Sequence, residues 1–473
     1  MNYYQDILGE NRKKSKNIYQ AIRIAVFLVS IMATFYIAYN VDHPGYDELF
    51  ILPIVYGIVF ILFISPVLFK NTNIFLTVFT AVSFTRYIVL PSLIVYSGLY
   101  GGRSAVPPLA SSYELALRLM VYELIIVTAV MYFIFKKINV KPSLQSGEIK
   151  LPKNIFIYLV FLALTVLLVG MNPGVLKSFY FIIPPDDLVG FGGGSVFSSI
   201  SFYFLAISKY IIYILLMSYL NKKYIMTNNK FYIAYSFILT LMNIFVIFGA
   251  NRADFVITTI VSVIVFYKLY PRQSKIASFV IIILMIFITG FISSHRDNAT
   301  YSDGADPVLD LTNTLQVYLG GPYNVAIATE AANENPEGRS IIHFGYDILR
   351  PAMGFNVLLK ELDWKMSSDY FNERIYFTDQ KSHIIPIIGQ GYFYFGFMFS
   401  PIIMIMFLYF VSFLIKTIQK QSRIELIFFL TIPIARIGLA MGQNGSILVN
   451  DTSFFLLLSL VVYYFNNKIT FKA

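Results

Sequence analysis

The sequence predicts an all-α, polytopic transmembrane bundle of about 12 spans with one large helical loop on its outer face. Three observations predict it. Hydrophobic residues make up 57% of the 473-residue chain and charged residues only 13%, where a soluble domain carries roughly a quarter. Apolar runs of about twenty residues, the length that crosses a bilayer, recur along the chain. Lysine and arginine gather in alternate connections between those runs.

The apolar segments lie near 21–40, 50–69, 73–98, 114–135, 154–170, 198–220, 231–250, 253–268, 276–293, 391–415, 424–441 and 452–466. Starting with the N-terminal tail, alternate connections are basic: "NRKKSK", "KKINVKPSLQSGEIKLPK", "NKKYIMTNNK", "YKLYPRQSK" and "KTIQKQSR". Between them, "VDHPGYDE" and "MGQNGSILVND" hold no Lys or Arg, "GGRSAVPPLASS" holds only Arg103, and 171–197 holds only Lys177. Basic connections stay on the cytoplasmic side, so both termini are expected there. The first twenty residues are polar and lack a small-residue cleavage site, which reads as a cytoplasmic tail and not a signal peptide. Most of the net charge of +10 is this topological bias, so no nucleic-acid partner is expected.

The chain then divides into 1–293 with nine spans, an outer loop at 294–390, and 391–473 with three more. The loop has helix-like apolar spacing in "DPVLDLTNTLQVYLGGPYNVAIATEAA" and "SIIHFGYDILRPAMGFNVLLKELDW". Asp306 before Pro307 reads as an N-cap and first helical residue, and Ser340 as a second cap. Gly320-Gly321-Pro322 is a break. The expectation is a helical cap lying partly on the membrane surface, with Tyr, Phe and the single Trp364 at interfacial depth. No internal repeat is visible.

Cysteine is absent, which excludes disulfides, thiolate metal sites and a catalytic thiol. The four histidines, His43, His295, His343 and His383, show no H-x-x-x-H pair, and no D-x-D motif or acidic cluster suggests a metal. No cofactor is expected.

The informative residues are charges inside apolar segments, because an arginine at mid-span costs roughly 2.5–3.5 kcal/mol on insertion scales. "IFGANRADFVIT" at 247–258 tops a hairpin running from Phe231 to Tyr267, too short for two full crossings with a projecting turn. Asp254 can cap the following helix and pair with Arg252. Alternatively, Arg252 faces a cavity at phosphate depth, where a guanidinium offers paired donors that lysine does not reproduce. Arg436, in "LTIPIARIGLAMGQNG", lies more than a turn inside its segment and reads as functional or ion-paired. Arg86, Arg118 and Lys209 read as structurally paired, with Glu114 placed i,i+4 from Arg118 and Glu123 free to pair elsewhere. The outer loop adds Arg296, Arg339, Arg350 and Arg374. With Arg252 and Arg436 these can form an anion-binding chamber for a phosphate-bearing ligand reached from the lipid.

Glycines 389, 391 and 396 open the tenth segment and permit close backbone approach at the membrane surface. His383 precedes them and is a candidate general base or an ordinary loop residue.

This layout resembles the Wzy-type O-antigen and capsule polymerases, the oligosaccharide repeat unit polymerases. The shared features are the span number, a large outer loop late in the chain, the small-residue and Arg turn "GANRADF", and "IGQGYFYFGFMFSP" at the entrance to the next span. "HIIP" at 383–386 is similar to a histidine–proline element of some members. Gln390 and Tyr394 stand where many members carry an acidic residue or Asn before Phe-Gly. The resemblance implies a GT-C-like bundle in the bacterial cytoplasmic membrane. It implies an undecaprenyl-pyrophosphate-linked oligosaccharide substrate and glycosyl transfer at the outer face without a nucleotide sugar. A chain-length regulator and a flippase are the implied partners, besides membrane lipids. Arg252 and Arg436 would hold the pyrophosphate, with Arg296, Arg339 or Arg350 closing over it. The base would be His383, His343 or Asp254. An O-antigen ligase shares this plan and chemistry. A flippase for the same lipid-linked unit fits the span number but not the one-sided loop.

Overall fold

The computed structural model describes residues 2–71, 73–138, 149–182, 196–248, 252–274, 276–281, 283–284, 306–359, 361–378 and 383–469. The chain begins with α1 (Asn2–Asn40), α2 (Ile51–Lys70), α3 (Ile74–Ser97) and α4 (Ala110–Lys136). Next come α5 (Phe156–Met171), β1 (Phe179–Phe181), α6 (Val196–Thr227), α7 (Phe231–Phe245), β2 (Val246–Phe248) and α8 (Arg252–Leu269). The loop region holds α9 (Pro307–Leu319), α10 (Pro322–Glu334), α11 (Ile341–Leu349), α12 (Phe355–Leu358) and α13 (Ser367–Tyr376). The chain ends with α14 (Ile387–Phe399), α15 (Ile402–Ile418), α16 (Ile424–Gly438) and α17 (Gly445–Lys468).

Among the described residues, six helices are long and apolar enough to cross a membrane, or seven if α14 and α15 form one bent span. Helices α5 and α7 are apolar but shorter, at 16 and 15 residues. The protein is a multi-pass helical membrane protein. It folds as two compact units, each assembled from separate stretches.

The first unit comprises Met1–Val140, Thr300–Phe413 and Ile437–Val449. Asn73 caps α3 by accepting from Leu76 N at 3.0 Å, and Gly98, at φ +69°, ends it. Asp306 caps α9 and Ser340 caps α11, both as the sequence predicts. The expectation of a cap on the membrane surface is corrected for α10. Every residue from Pro322 to Ala332 is buried, packed against α4 and α14. Its alanines (326, 328, 331 and 332) leave room for neighbouring helices, and Gly389 comes so near that a Cβ there would lie 2.5 Å from Ala328 Cβ.

The break between α9 and α10 is a tight tip. Gly320 adopts φ +61°, and Arg86 Nε donates to its carbonyl at 3.2 Å. Gln316, one turn earlier, donates to Leu99 O and Gly101 O, each at 3.2 Å. Gly442 passes so near the end of α9 that an added Cβ would lie 2.1 Å from Tyr318 O. Backbone cannot yield as a side-chain tip can. Gly442→Ala is therefore expected to lower stability by roughly 1–3 kcal/mol, read as a fall in the thermal midpoint of detergent-solubilised protein.

The tenth apolar segment is not one straight span, as its sequence suggests. Helices α14 and α15 meet at 105°. Gly396 is non-helical, at φ +68° and ψ −170°, and a Cβ on Gly391 would fall 1.9 Å from Ser400 O. Only glycine permits that backbone contact.

The second unit comprises Lys141–Ala299, Leu414–Arg436 and Asn450–Ala473. Its helices are joined by hydrogen bonds between small polar side chains, a common adhesive where lipid supplies no hydrophobic drive. Tyr210 and Thr258 meet at 2.8 Å, Thr165 and Ser208 at 2.7 Å, and Asn243 donates to Ser262 at 2.8 Å. One short strand pair interrupts the otherwise helical unit. β1 and β2 form a short antiparallel ladder, Phe179 opposite Phe248 and Phe181 opposite Val246. Backbone that leaves the helix beside lipid must still find partners, and the ladder provides them.

A buried charge cluster as the candidate functional site

Three charged side chains of the second unit, Arg436, Asp254 and Asp451, form one network. Arg436 stands in the last turn of α16, its side chain 8% exposed. Its Nη2 donates to Asp254 Oδ1, and also to Asp451 Oδ2 at 2.7 Å. Asp254 lies in the first turn of α8, where the positive end of the helix dipole favours a carboxylate. Asp451 lies near the start of α17 and also accepts from Asn450 Nδ2 at 3.2 Å. Asn450 in turn donates to Tyr203 OH at 3.1 Å, and the Tyr203 ring stacks on Phe454 at 4.2 Å.

Lys209 of α6 is within electrostatic range of Asp254. Its Nζ donates to Val246 O at 2.5 Å and lies over the Tyr210 and Phe248 rings at 5.2 and 5.3 Å. It thus fastens β2, the strand that precedes "GANRAD" in the sequence. Two cations and two carboxylates balance in formal charge. Even so, Arg436 Nη1 is buried and has no hydrogen-bond partner among the described residues. A buried donor left so costs about 1–3 kcal/mol. A guanidinium with one nitrogen on carboxylates and another spare suits an arriving anionic oxygen.

Asp254, Asp451 and Arg436 all sit toward the helix ends remote from the Lys- and Arg-rich connections. Asp254 pairs with Arg436, and the pair expected of Asp254 with Arg252 falls outside the described residues. Arg252 opens α8, but its side chain lies outside the described residues, as does the whole of Arg296.

The remaining candidates stand in the first unit. Arg339 is exposed and bonded to Ala332 O and, at 2.9 Å, to Asn333 Oδ1. Arg350 lies 5.5 Å from the Tyr346 ring. Arg374 forms a buried pair with Glu330 at 2.5 Å. The mid-span charges are paired as expected: Arg86 with Glu123 at 2.7 Å, both fully buried, and Arg118 with Glu48 at 2.9 Å and Glu114 at 3.6 Å. The Arg118 guanidinium holds the Glu48 carboxyl below its ordinary range.

His343 Nδ1 lies 2.6 Å from Ser340 Oγ, and its ring is 4.8 Å from that of Trp364. His383 Nδ1 shares a 2.5 Å hydrogen bond with Tyr376 OH, and Asn372 grips its backbone on both sides, at 2.8 and 2.9 Å. Burial, with the Arg103 charge, pulls its imidazole down to about 4. A group that weak accepts protons poorly near neutrality. Because the folded value lies below that of a free histidine, the unfolded chain binds the extra proton first. His383 thus contributes stability above about pH 6.5 that is lost as pH falls toward 4, on the order of 3 kcal/mol. Thermal midpoints in detergent are expected to drop across that window, and the drop to shrink in His383→Gln.

Sequence reasoning missed Asp451 and Asp347. Asp451 was legible only as a lone carboxylate entering the last span. Asp347, wholly buried in α11, accepts from Ser367 Oγ at 2.5 Å, Gln390 Nε2 at 3.1 Å, Tyr394 OH at 2.8 Å and Ser446 Oγ at 2.7 Å. Gln390 and Tyr394 therefore act together on one carboxylate. Comparison of the chain with models of known families, with curated proteins and with solved structures returns no match.

Proposed function

We propose that this protein polymerises lipid-linked oligosaccharide repeat units by glycosyl transfer at the outer face of a bacterial cytoplasmic membrane, with about twelve spans and both termini cytoplasmic. The observation that carries the reading is Arg436. It is a buried guanidinium shared by two carboxylates, with one nitrogen unpartnered among the described residues, at the helix ends away from the basic connections. An undecaprenyl diphosphate is the leaving group this chemistry suits. The acceptor hydroxyl oxygen attacks the anomeric carbon of the donor chain. The bond from that carbon to the diphosphate oxygen breaks, and the diphosphate leaves with the electron pair. Arg436 Nη1 meets the growing negative charge, and Arg252, two residues before Asp254 in the sequence, is proposed as the second cation. The hydroxyl proton passes to Asp254, which is favoured over His383 and His343 because it already shares the guanidinium.

Deleting the gene and resolving the cell's surface polysaccharide on a gel tests this. A polymerase leaves a cap of one repeat unit. Full-length polymer retained on undecaprenyl would instead identify a ligase, and loss of all outward units a flippase.

A further inference from the structure

We propose that α11 and α12 dock on the lipid surface of the bilayer that holds the spans, with their apolar face at the boundary of headgroups and acyl chains. This inference is independent of the glycosyl-transfer reading.

Helix α11 has two unlike faces. Asp347 fastens one of them to Gln390 and Tyr394 of α14 and to Ser446 of α17. Ile348 packs there too, close enough that a Cβ on Gly445 would lie 2.8 Å from its Cδ1. That face is thus tied to the start of α17, which is long and apolar enough to span, and to α14, the first arm of the bent pair. The other face shows Ile341, Ile342 and Leu349, the first two about two-thirds exposed at 68% and 66%. Gly345 lies among them, with nothing within 4 Å of where its Cβ would be. Val357 and Leu358 of α12 add further open apolar surface, Leu358 being 74% exposed. Single exposed apolar residues need no explanation, but a cluster of large ones on a helix pinned beside lipid does.

The surroundings suit an interface and not bulk water. Trp364 lies against Tyr346 at 5.4 Å, and Tyr346 OH donates to Leu362 O at 2.5 Å, folding the Trp back along α11. Amphipathic rings of this kind prefer headgroup depth. The charges from 337 to 365 balance, with Arg339, Arg350, Lys360 and Lys365 against Glu337, Asp347, Glu361 and Asp363. Apolar burial and not attraction to anionic lipid is therefore the driving term, and a zwitterionic bilayer is sufficient.

The composition provides its own probes, since the chain has one tryptophan and no cysteine. The full chain is reconstituted in phosphatidylcholine vesicles containing lipids brominated near the headgroup or near the bilayer centre. Trp364 fluorescence is expected to be quenched at least about twofold more by the shallow bromines, in keeping with interfacial burial. A spin label at Ile342→Cys is expected to be more accessible to oxygen than to a water-soluble nickel chelate, with the reverse order at Glu361→Cys. A Trp364 signal indifferent to bromolipid, together with a label at 342 that behaves like the one at 361, overturns the proposal. So does protection at 342 that appears only at high protein-to-lipid ratio, which marks a second copy as the occupant.

Discussion

Replacing Arg436 by alanine is expected both to abolish long-chain polymer and to weaken the fold. The guanidinium is the shared partner of Asp254 and Asp451, whose side chains are only 16% and 24% exposed. Removing one partner from a buried ion pair costs about 3–5 kcal/mol, because the abandoned charge remains out of water. Partial exposure of the two carboxylates puts the expected loss at the lower end. Arg436→Lys separates the two roles. An ammonium has three donors and can still reach both carboxylates, so the thermal midpoint in detergent should fall much less. It cannot reproduce two nitrogens in a plane, one on carboxylate and one on diphosphate. Polymer should therefore be lost in Arg436→Lys at near-normal protein level. Normal polymer in that variant would end the assignment of Arg436 to the diphosphate, whatever its worth to the fold.

The carboxylates provide an internal control. Asp451→Asn removes one of two negative partners and leaves the hydrogen-bond geometry nearly intact. If Asp254 is the base, Asp254→Asn should lose polymer at a stability cost no greater than that of Asp451→Asn. Equal activity in both variants would make the cluster structural.

What was legible in the sequence was local. Asp306 and Ser340 were readable as caps because a cap is a matter of one turn. Six of the apolar runs were readable because each coincides with one long helix, as in α2, α3 and α4. Gly320-Gly321-Pro322 was readable as a break, but not its burial, since that depends on Arg86, 234 residues away. The partner of Arg436 was hidden for the same reason: Asp254 is 182 residues distant, and the nearer Arg252 offered a plausible local pair. The bend between α14 and α15 comes from a meeting of Gly391 with Ser400 backbone, which apolar periodicity does not encode. Charge inside an apolar run marked the right places without naming partners.

Arg86 and Glu123 offer the second large effect. Both are fully buried, joined at 2.7 Å, with Tyr87 OH also donating to Glu123 at 3.1 Å. Arg86 has a second duty, its bond to the Gly320 carbonyl at the tip between α9 and α10. Arg86→Leu should thus be among the most damaging single changes in the chain, at about 3–5 kcal/mol for the stranded carboxylate. Glu123→Leu strands the guanidinium and should cost a similar amount. The double variant removes both charges and restores an apolar contact, so its loss should be well below the sum, with a coupling on the order of 2–3 kcal/mol. Some loss must persist in the double variant, because the Gly320 carbonyl still lacks its donor, and an unmade buried hydrogen bond costs about 1–3 kcal/mol. Limited proteolysis isolates that remainder: cleavage near Gly320 should rise in Arg86→Leu and in the double variant, yet less in Glu123→Leu, where the bond to the tip survives. Additive losses and unchanged cleavage would mean that Arg86 neither depends on Glu123 nor holds the tip.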